Sequence, residues 1–203
     1  MDKLDRDFYL RDTLVVAEAL LGKLLVHETG GQRIACRIVE TEAYIGPEDK
    51  GSHSFGGRRT KRNEVMYHIG GIAYVYIIYG MYYCFNVVTE QEGRPSAVLV
   101  RAVEPVLGAE QMAESRYGVA YSSLSSKQRL SLCNGPGKLC IAMDIGKAEN
   151  GLDLCSSKLY ICDVENEPFS VRTSPRINIA YAEEYTLKPW RFYIEGNAYV
   201  SKR

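Results

Sequence analysis

The sequence predicts a mixed α/β fold of the α+β kind. The expectation is one domain over residues 1–203, with a largely antiparallel, curved sheet, short helices and a protruding β-hairpin. Three observations predict it. Strand-like runs are joined by tight turns, as in "YVYIIYGMYYCFNVV", which suggests hairpins and antiparallel pairing. Helical patterns are few and short. A chain of 203 residues with 46% hydrophobic and 25% charged residues has ordinary globular composition and can bury a full core.

The elements follow in order. "DTLVVAEALLGKLLVHE" opens as a short helix, with Asp12 or Thr13 as its N-cap and Gly22 as its stop. A strand runs over Leu24–His27, "ETGGQ" turns the chain, and a second strand runs from Arg33 to Tyr44. Gly46–Asn63 is a polar loop whose length, in a compact domain, points to function or disorder. "EVMYHIG" is one helical turn. Strands then run over Ile72–Ile78 and Tyr82–Val88, reversing at Tyr79-Gly80. "TEQEGRP" turns the chain into the strand "SAVLVRAVEP". "LGAEQMAESRYG" is a helix with Ala109, Met112, Ala113 and Tyr117 on one face, interrupted by Arg116. "SSLSSKQRLSLCNGPGKLCIAM" gives one or two short helices broken at Asn134-Gly135-Pro136-Gly137. Beyond Asn150, "KLYICDV", "PRINIAY" and "RFYIEG" read as short strands among turns. There is no repeat and no low-complexity tract.

Charge and composition exclude more than they assign. With 25 basic and 25 acidic residues the net charge is zero, so a nucleic-acid or phosphate site would have to be a local patch. None of the six cysteines forms a Cys-x-x-Cys pair, and most sit in apolar surroundings. Reduced, buried thiols are the expectation. No cysteine stands at ligand spacing beside His27, His53 or His68, so no zinc site is expected. "MDKLDRDFYL" has no apolar segment of signal-peptide type, and the tyrosine run is too short and too polar to span a bilayer. The expected location is the cytoplasm of a prokaryote or the nucleus of a eukaryote, with no membrane partner.

Several short patterns carry chemistry, each beside a structural alternative. Period two puts Ile38, Glu40, Glu42 and Tyr44 on one face of a strand. Two carboxylates so placed either serve acid–base work or face solvent and arginines. Gly56-Gly57-Arg58-Arg59-Thr60-Lys61-Arg62 suits close approach to phosphates, or is a solvated loop. In the hairpin, Val75, Ile77 and Tyr79 share one face, and Tyr74, Tyr76 and Ile78 the other. Core packing explains most of that run. A bulky ring and Met81 straddling the turn also suit a wedge driven between base pairs, filling the gap left by an extruded nucleotide. Asn86, in an apolar strand, is either satisfied internally or reads a ligand.

Together, "RIVETEAYIGPEDKGSHSFGGRRTKRN", "YVYIIYGMYYCFNVV", "VLVRAVEP", "CNGPGKLC" and "KPWRFYIEG" resemble the alkyladenine (3-methyladenine) DNA glycosylase family, from about Asp7 to Ser201. The resemblance implies a single-domain mixed α/β fold that needs no cofactor and no metal. It implies removal of alkylated and deaminated purines from double-stranded DNA by hydrolysis of the N-glycosidic bond, acting as a monomer. Position by position, Glu42 matches the general base that activates a water, and Arg101 the arginine that holds that water. A backbone carbonyl near Ile179 matches the third water contact. Tyr44 matches the ring stacked on one face of the flipped base; His53 and Tyr76 match the opposite wall. Tyr79 matches the intercalating residue, with Met81 beside it. Asn86 matches the amide that crowds the 2-amino group of normal guanine. Arg58, Arg59, Lys61, Arg62 and Lys138 are the expected contacts to the DNA backbone. No lysine stands in the matched pocket positions, so a monofunctional hydrolase is implied. A non-catalytic module that binds damaged or single-stranded nucleic acid is the second reading, and a hydrolase of free nucleosides the third.

Overall fold

The strand expected from Arg33 to Tyr44 is the hub of a nine-stranded sheet. The computed structural model describes residues 2–202. Among them the strands are β1 (Asp2–Lys3), β2 (Leu24–Thr29), β3 (Gln32–Tyr44), β4 (Ala73–Ile78), β5 (Tyr82–Thr89), β6 (Ser96–Leu107), β7 (Leu159–Asp163), β8 (Val171–Ser174) and β9 (Arg191–Ile194). Their order is β1-β7-β2-β3-β6-β5-β4, with β9 paired to β3 and β8 to β9. Every strand pairing is antiparallel, as the tight turns predict. The helices are α1 (Arg6–Tyr9), α2 (Thr13–Ala19), α3 (Ala109–Tyr117), α4 (Ser126–Leu130) and α5 (Pro136–Ala142). The Asp12 carboxylate caps α2, accepting from the Leu14 and Val15 N–H groups. Among the described residues no helix is long and apolar enough to cross a membrane.

β6 takes one edge of β3 from Ala35 to Tyr44. The other edge is shared, β2 pairing with Gln32–Arg37 and β9 with Glu40–Glu42. The register slips between Ile38 and Glu40, where β3 changes partner. A bulge there flips the alternation. Ile34, Cys36 and Ile38 face the main core, and so do Val39 and Ala43 beyond the slip. The strict period that grouped Ile38 with Glu40, Glu42 and Tyr44 is therefore corrected: Ile38 points the other way.

One face of the sheet carries that core. Val16 and Ala17 of α2, Met112 and Ala113 of α3, and Leu139 and Cys140 of α5 pack on Phe85 and Val87 of β5 and Val98, Val100 and Ala102 of β6. Burying each large apolar side chain contributes about 1.5–3 kcal/mol. The opposite face holds the alternating partners. Registered neighbours run Tyr74, Asn86, Leu99, Glu42 across β4, β5, β6 and β3. Directly opposed residues project to the same side, so four distant segments converge in one row.

One further expectation changes. "PRINIAY" is not a strand: the paired strand is β8, just before it, and the chain then runs irregularly into a 3-10 helix at Ala180–Leu187. Pro175 has no N–H for a ladder, and the Ile177 N–H is donated to the Glu42 carboxylate instead. The loop Gly46–Asn63 is an ordered segment. Ser54 donates to the Gly46 and Pro95 carbonyls, and the Asn63 amide to the His53 and Arg58 carbonyls. "EVMYHIG" holds a 3-10 turn at Glu64–Tyr67. All six cysteines are free, and all but Cys155 are buried.

Candidate active site

The row on the open face ends in a recess. Tyr44, His53, Met66, Tyr74, Tyr76, Asn86 and Tyr181 line about 340 Å³. It opens onto a groove of about 1420 Å³ bordered by Ile77, Tyr79, Leu99, Arg101, Pro136 and Ile177–Ile179. The aromatic walls are held by local contacts. His53 Nδ1 lies 2.9 Å from the Tyr74 hydroxyl, and its ring meets Tyr76 edge-on at 4.5 Å. Burial, with Arg62 adding to it, pushes the His53 pKa down to about 4, so the ring is neutral at pH 7.

Glu42 sits just behind this wall, fully buried. Every group that meets its oxygens is a donor. Oε1 accepts the Ile177 N–H at 2.8 Å and faces Arg101 Nη1 at 3.5 Å, while Oε2 accepts the Tyr44 hydroxyl at 2.9 Å. Loss of water raises the Glu42 pKa above the ordinary carboxylate value, and Arg101, the Ile177 N–H and the Tyr44 hydroxyl pull against that rise. Burial also pushes the Tyr44 hydroxyl well up, which keeps it a donor. A carboxylate in a donor-only cage beside a pocket is equipped to hold and release a proton.

Glu40, two residues earlier, is equally buried but differently used. It accepts from Arg191 Nε at 2.6 Å and from the Ser201 N–H at 2.7 Å, and Arg101 Nε lies 3.4 Å away. Arg101 thus stands between both carboxylates.

The hairpin tip lies at the groove's rim. The Met81 N–H closes the turn on the Ile78 carbonyl at 3.2 Å, with Tyr79 at φ 52° and Gly80 at φ 70°. This is the twist-matched turn of a two-residue hairpin. Glycine takes that conformation freely; a tyrosine there costs about 1–2 kcal/mol. Tyr79 is 83% exposed and Met81 65% exposed. Behind the tip, α5 packs so closely that a Cβ on Gly137 would lie 3.0 Å from the Tyr82 Cβ.

The remaining expected residues divide. The Asn86 amide donates to the Tyr74 carbonyl at 3.0 Å, so its nitrogen is satisfied by the backbone. Ile179 lines the groove, and its carbonyl accepts the Ala182 N–H at 2.8 Å. In the basic loop, Arg58 and Lys61 are exposed and carry no side-chain partner among the described residues. Arg59 grips Glu64 with two nitrogens and lies over Tyr67. Arg62 donates to the Ile77 carbonyl at 3.0 Å, tying the loop to the hairpin. Lys138 Nζ reaches Asn134 Oδ1 at 2.8 Å.

Sequence reasoning missed one large feature. Arg176 and Asp49 form a fully buried two-pronged ion pair, at 2.5 and 2.7 Å. The Arg176 guanidinium also donates to the Ala43 carbonyl and lies 4.6 Å from the centre of the Tyr44 ring and 5.0 Å from that of Trp190. It anchors the segment whose Ile177 N–H reaches Glu42. Nothing local in "SPRIN" marks this arginine, because its partner is 127 residues away.

Comparison with known proteins identifies the family. The family model for methylpurine-DNA glycosylase matches residues 7–198. A protein of Desulfitobacterium hafniense (strain Y51) is 57% identical over 201 residues, covering 99% of each chain. One of Clostridium acetobutylicum is 53% identical over 199 residues, covering 98% of this chain and 97% of the other. One of Alkaliphilus oremlandii is 51% identical over 201 residues, covering 99% and 100%. Each of the three bears the name "Putative 3-methyladenine DNA glycosylase". The chain belongs to the methylpurine-DNA glycosylase family and is a DNA glycosylase, a hydrolase of N-glycosyl bonds.

Proposed function

We propose that the protein flips alkylated or deaminated purines out of duplex DNA and hydrolyses their glycosidic bond with a water activated by Glu42, the whole chain, 1–203, serving as one glycosylase domain. The observation that carries the reading is the juxtaposition of a buried, donor-caged carboxylate with an aromatic recess whose rim bears an exposed tyrosine.

The chemistry follows from that arrangement. A purine in the recess stacks between Tyr44 on one side and His53 and Tyr76 on the other. Base–aromatic stacking is worth about 1–3 kcal/mol per base, comparable to the cost of unstacking it from the helix. Tyr79 fills the vacated space, with Met81 against the neighbouring pair. The neutral His53 ring adds no cation beside an already cationic alkylated base. A water between Glu42 and Arg101 loses its proton to the carboxylate as it attacks the sugar. The negative charge also favours the developing oxocarbenium ion. Asn86 rejects guanine through its 2-amino group. Arg58 and Lys61 are free to meet phosphates as they stand, whereas Arg59, Arg62 and Lys138 would first exchange an internal partner. Without a pocket lysine the product is an intact strand with an abasic site.

The test is a duplex oligonucleotide carrying one alkylated or deaminated purine, incubated with protein and then cleaved with hot alkali. Wild type is expected to yield a single cut at the lesion, and Glu42→Gln is expected to lose it. Full activity in Glu42→Gln would remove Glu42 from the reaction. Tight binding with no abasic product from any lesion would favour the non-catalytic reading.

A further inference from the structure

Arg101 is held at one end and free to work at the other. Its Nε donates to the Ser201 hydroxyl oxygen at 3.1 Å and lies 3.4 Å from Glu40 Oε1. Its Nη1 lies 3.5 Å from Glu42 Oε1. Ser201 is itself pinned: its hydroxyl donates to Glu40 Oε1 at 3.0 Å and its N–H to Glu40 Oε2 at 2.7 Å. Arg191 secures the far side, gripping Glu40 and, through its other nitrogens, Ser174 and the Lys202 carbonyl. Glu40 is fully buried, and the Arg101 side chain is only 11% exposed.

We propose that Ser201 is a positioning residue, which with Glu40 behind it fixes the guanidinium plane of Arg101 and so sets its reach toward Glu42. The proposal rests on the Glu42-activated water described above. A guanidinium is planar, so bonds at Nε fix where its two terminal nitrogens point. Freed at Nε, Arg101 has a second carboxylate beside it and rotates between Glu40 and Glu42. Preorganisation of the water site is then lost without any change in the pocket walls. A bulk structural role would not act this way, because Ser201 touches neither the recess nor the hairpin.

The titratable groups facing Glu42 are Arg101 on β6, Glu40 and Tyr44 on β3, Cys84 on β5 and Tyr181 on the 3-10 helix. Arg101 is the sole cation among them. Loosening it raises the midpoint at which Glu42 takes up a proton.

Two measurements test this in the full chain. In the first, carbon NMR of labelled glutamate follows the Glu42 titration in wild type, Ser201→Ala and Ser201→Thr. The midpoint is expected to rise in Ser201→Ala and to stay in Ser201→Thr, which keeps the hydroxyl. An unmoved midpoint in Ser201→Ala overturns the proposal, whether or not the enzyme turns over. The second is single-turnover release of a deaminated purine from duplex DNA across pH 5–9. Ser201→Ala is expected to lose about tenfold in rate, the worth of one hydrogen bond to a charged group, with unchanged DNA affinity and an acid limb shifted upward. Wild-type rates in an active Ser201→Ala enzyme also overturn it. A wild type that releases no base from any lesion sinks the Glu42 reading instead, and the titration still decides on Ser201.

Discussion

Phe85 and Asn86 are neighbours on β5, yet one faces the helices and the other faces the recess. The face of Phe85 is closed and apolar, and its side chains pack against α2, α3 and α5. The face of Asn86 holds the buried carboxylates of Glu40 and Glu42, Arg101 between them, and the rings of Tyr44, Tyr74 and Tyr76. Buried charges contribute little net stability, because desolvation opposes their attraction. The core face buries one such pair, His27 and Glu149, and the greater concentration beside the recess makes that face the candidate site. One sheet, through its period of two, sets the packed core on one face and the candidate site on the other.

That contrast makes graded predictions. The largest effect belongs to Glu42→Gln, expected to slow single-turnover base release by about 10²–10⁴-fold, the usual worth of general-base catalysis. A rate within a few fold of wild type would erase the distinction between the faces. Next comes the adjacent pair. Phe85→Ala is expected to cost about 3–5 kcal/mol in urea unfolding, with the rate per folded molecule unchanged. Asn86→Ala is expected to cost only about 1 kcal/mol and to raise release of undamaged guanine. Equal stability losses in the two variants would break the comparison.

A smaller effect sits at the tip. Tyr79→Asn puts a residue tolerant of positive φ where the tyrosine is strained. Stability is expected to hold or rise by up to about 1 kcal/mol, while base release from duplex falls by about tenfold. Thermal melting and the duplex assay check both halves, and lowered stability with full activity would reverse the assignment.

The smallest effects are those of pH, and the two groups act on different observables. The Glu42 carboxyl titrates above the ordinary carboxylate range, so activity is expected to fall as pH drops through that raised value. His53 has a folded pKa of about 4, below its unfolded value of about 6.5. The unfolded chain therefore binds the extra proton between those values, and the His53 contribution to stability is complete above pH 6.5 and lost as pH falls toward 4. Urea unfolding at pH 7 and pH 5, in wild type and His53→Gln, reads that loss; an equal pH dependence in both would remove His53 as its source.

Much of this was legible along the chain, and the reason is locality. The hairpin follows from period two and a Tyr-Gly reversal, and α2 from the Asp12 cap. Family resemblance singled out Tyr44, His53 and Tyr76, which line one recess, Arg101, which borders the groove beside it, and Glu42, buried behind its wall. The basic loop was legible as charge but not as pairing: Arg59 and Arg62 are engaged within the protein. "PRINIAY" misled because alternating apolar residues resemble a strand even when their N–H groups serve a carboxylate.

The sequence by itself determined the antiparallel hairpins, the turn that must carry Tyr79, and the residue types from which a base pocket could be built. These depend on neighbours a few positions apart, where steric and hydrogen-bond preferences act directly. Only the tertiary structure decided the phase slip at Ile38–Glu40 that turns Ile38 to the core and leaves Glu40 and Glu42 on the opposite face. It alone decided the Arg176–Asp49 anchor and the Ser201–Glu40 hold on Arg101, which join residues 127 and 161 positions apart. Such pairs form only when packing has already removed the water around them, so no pattern in the chain can announce them.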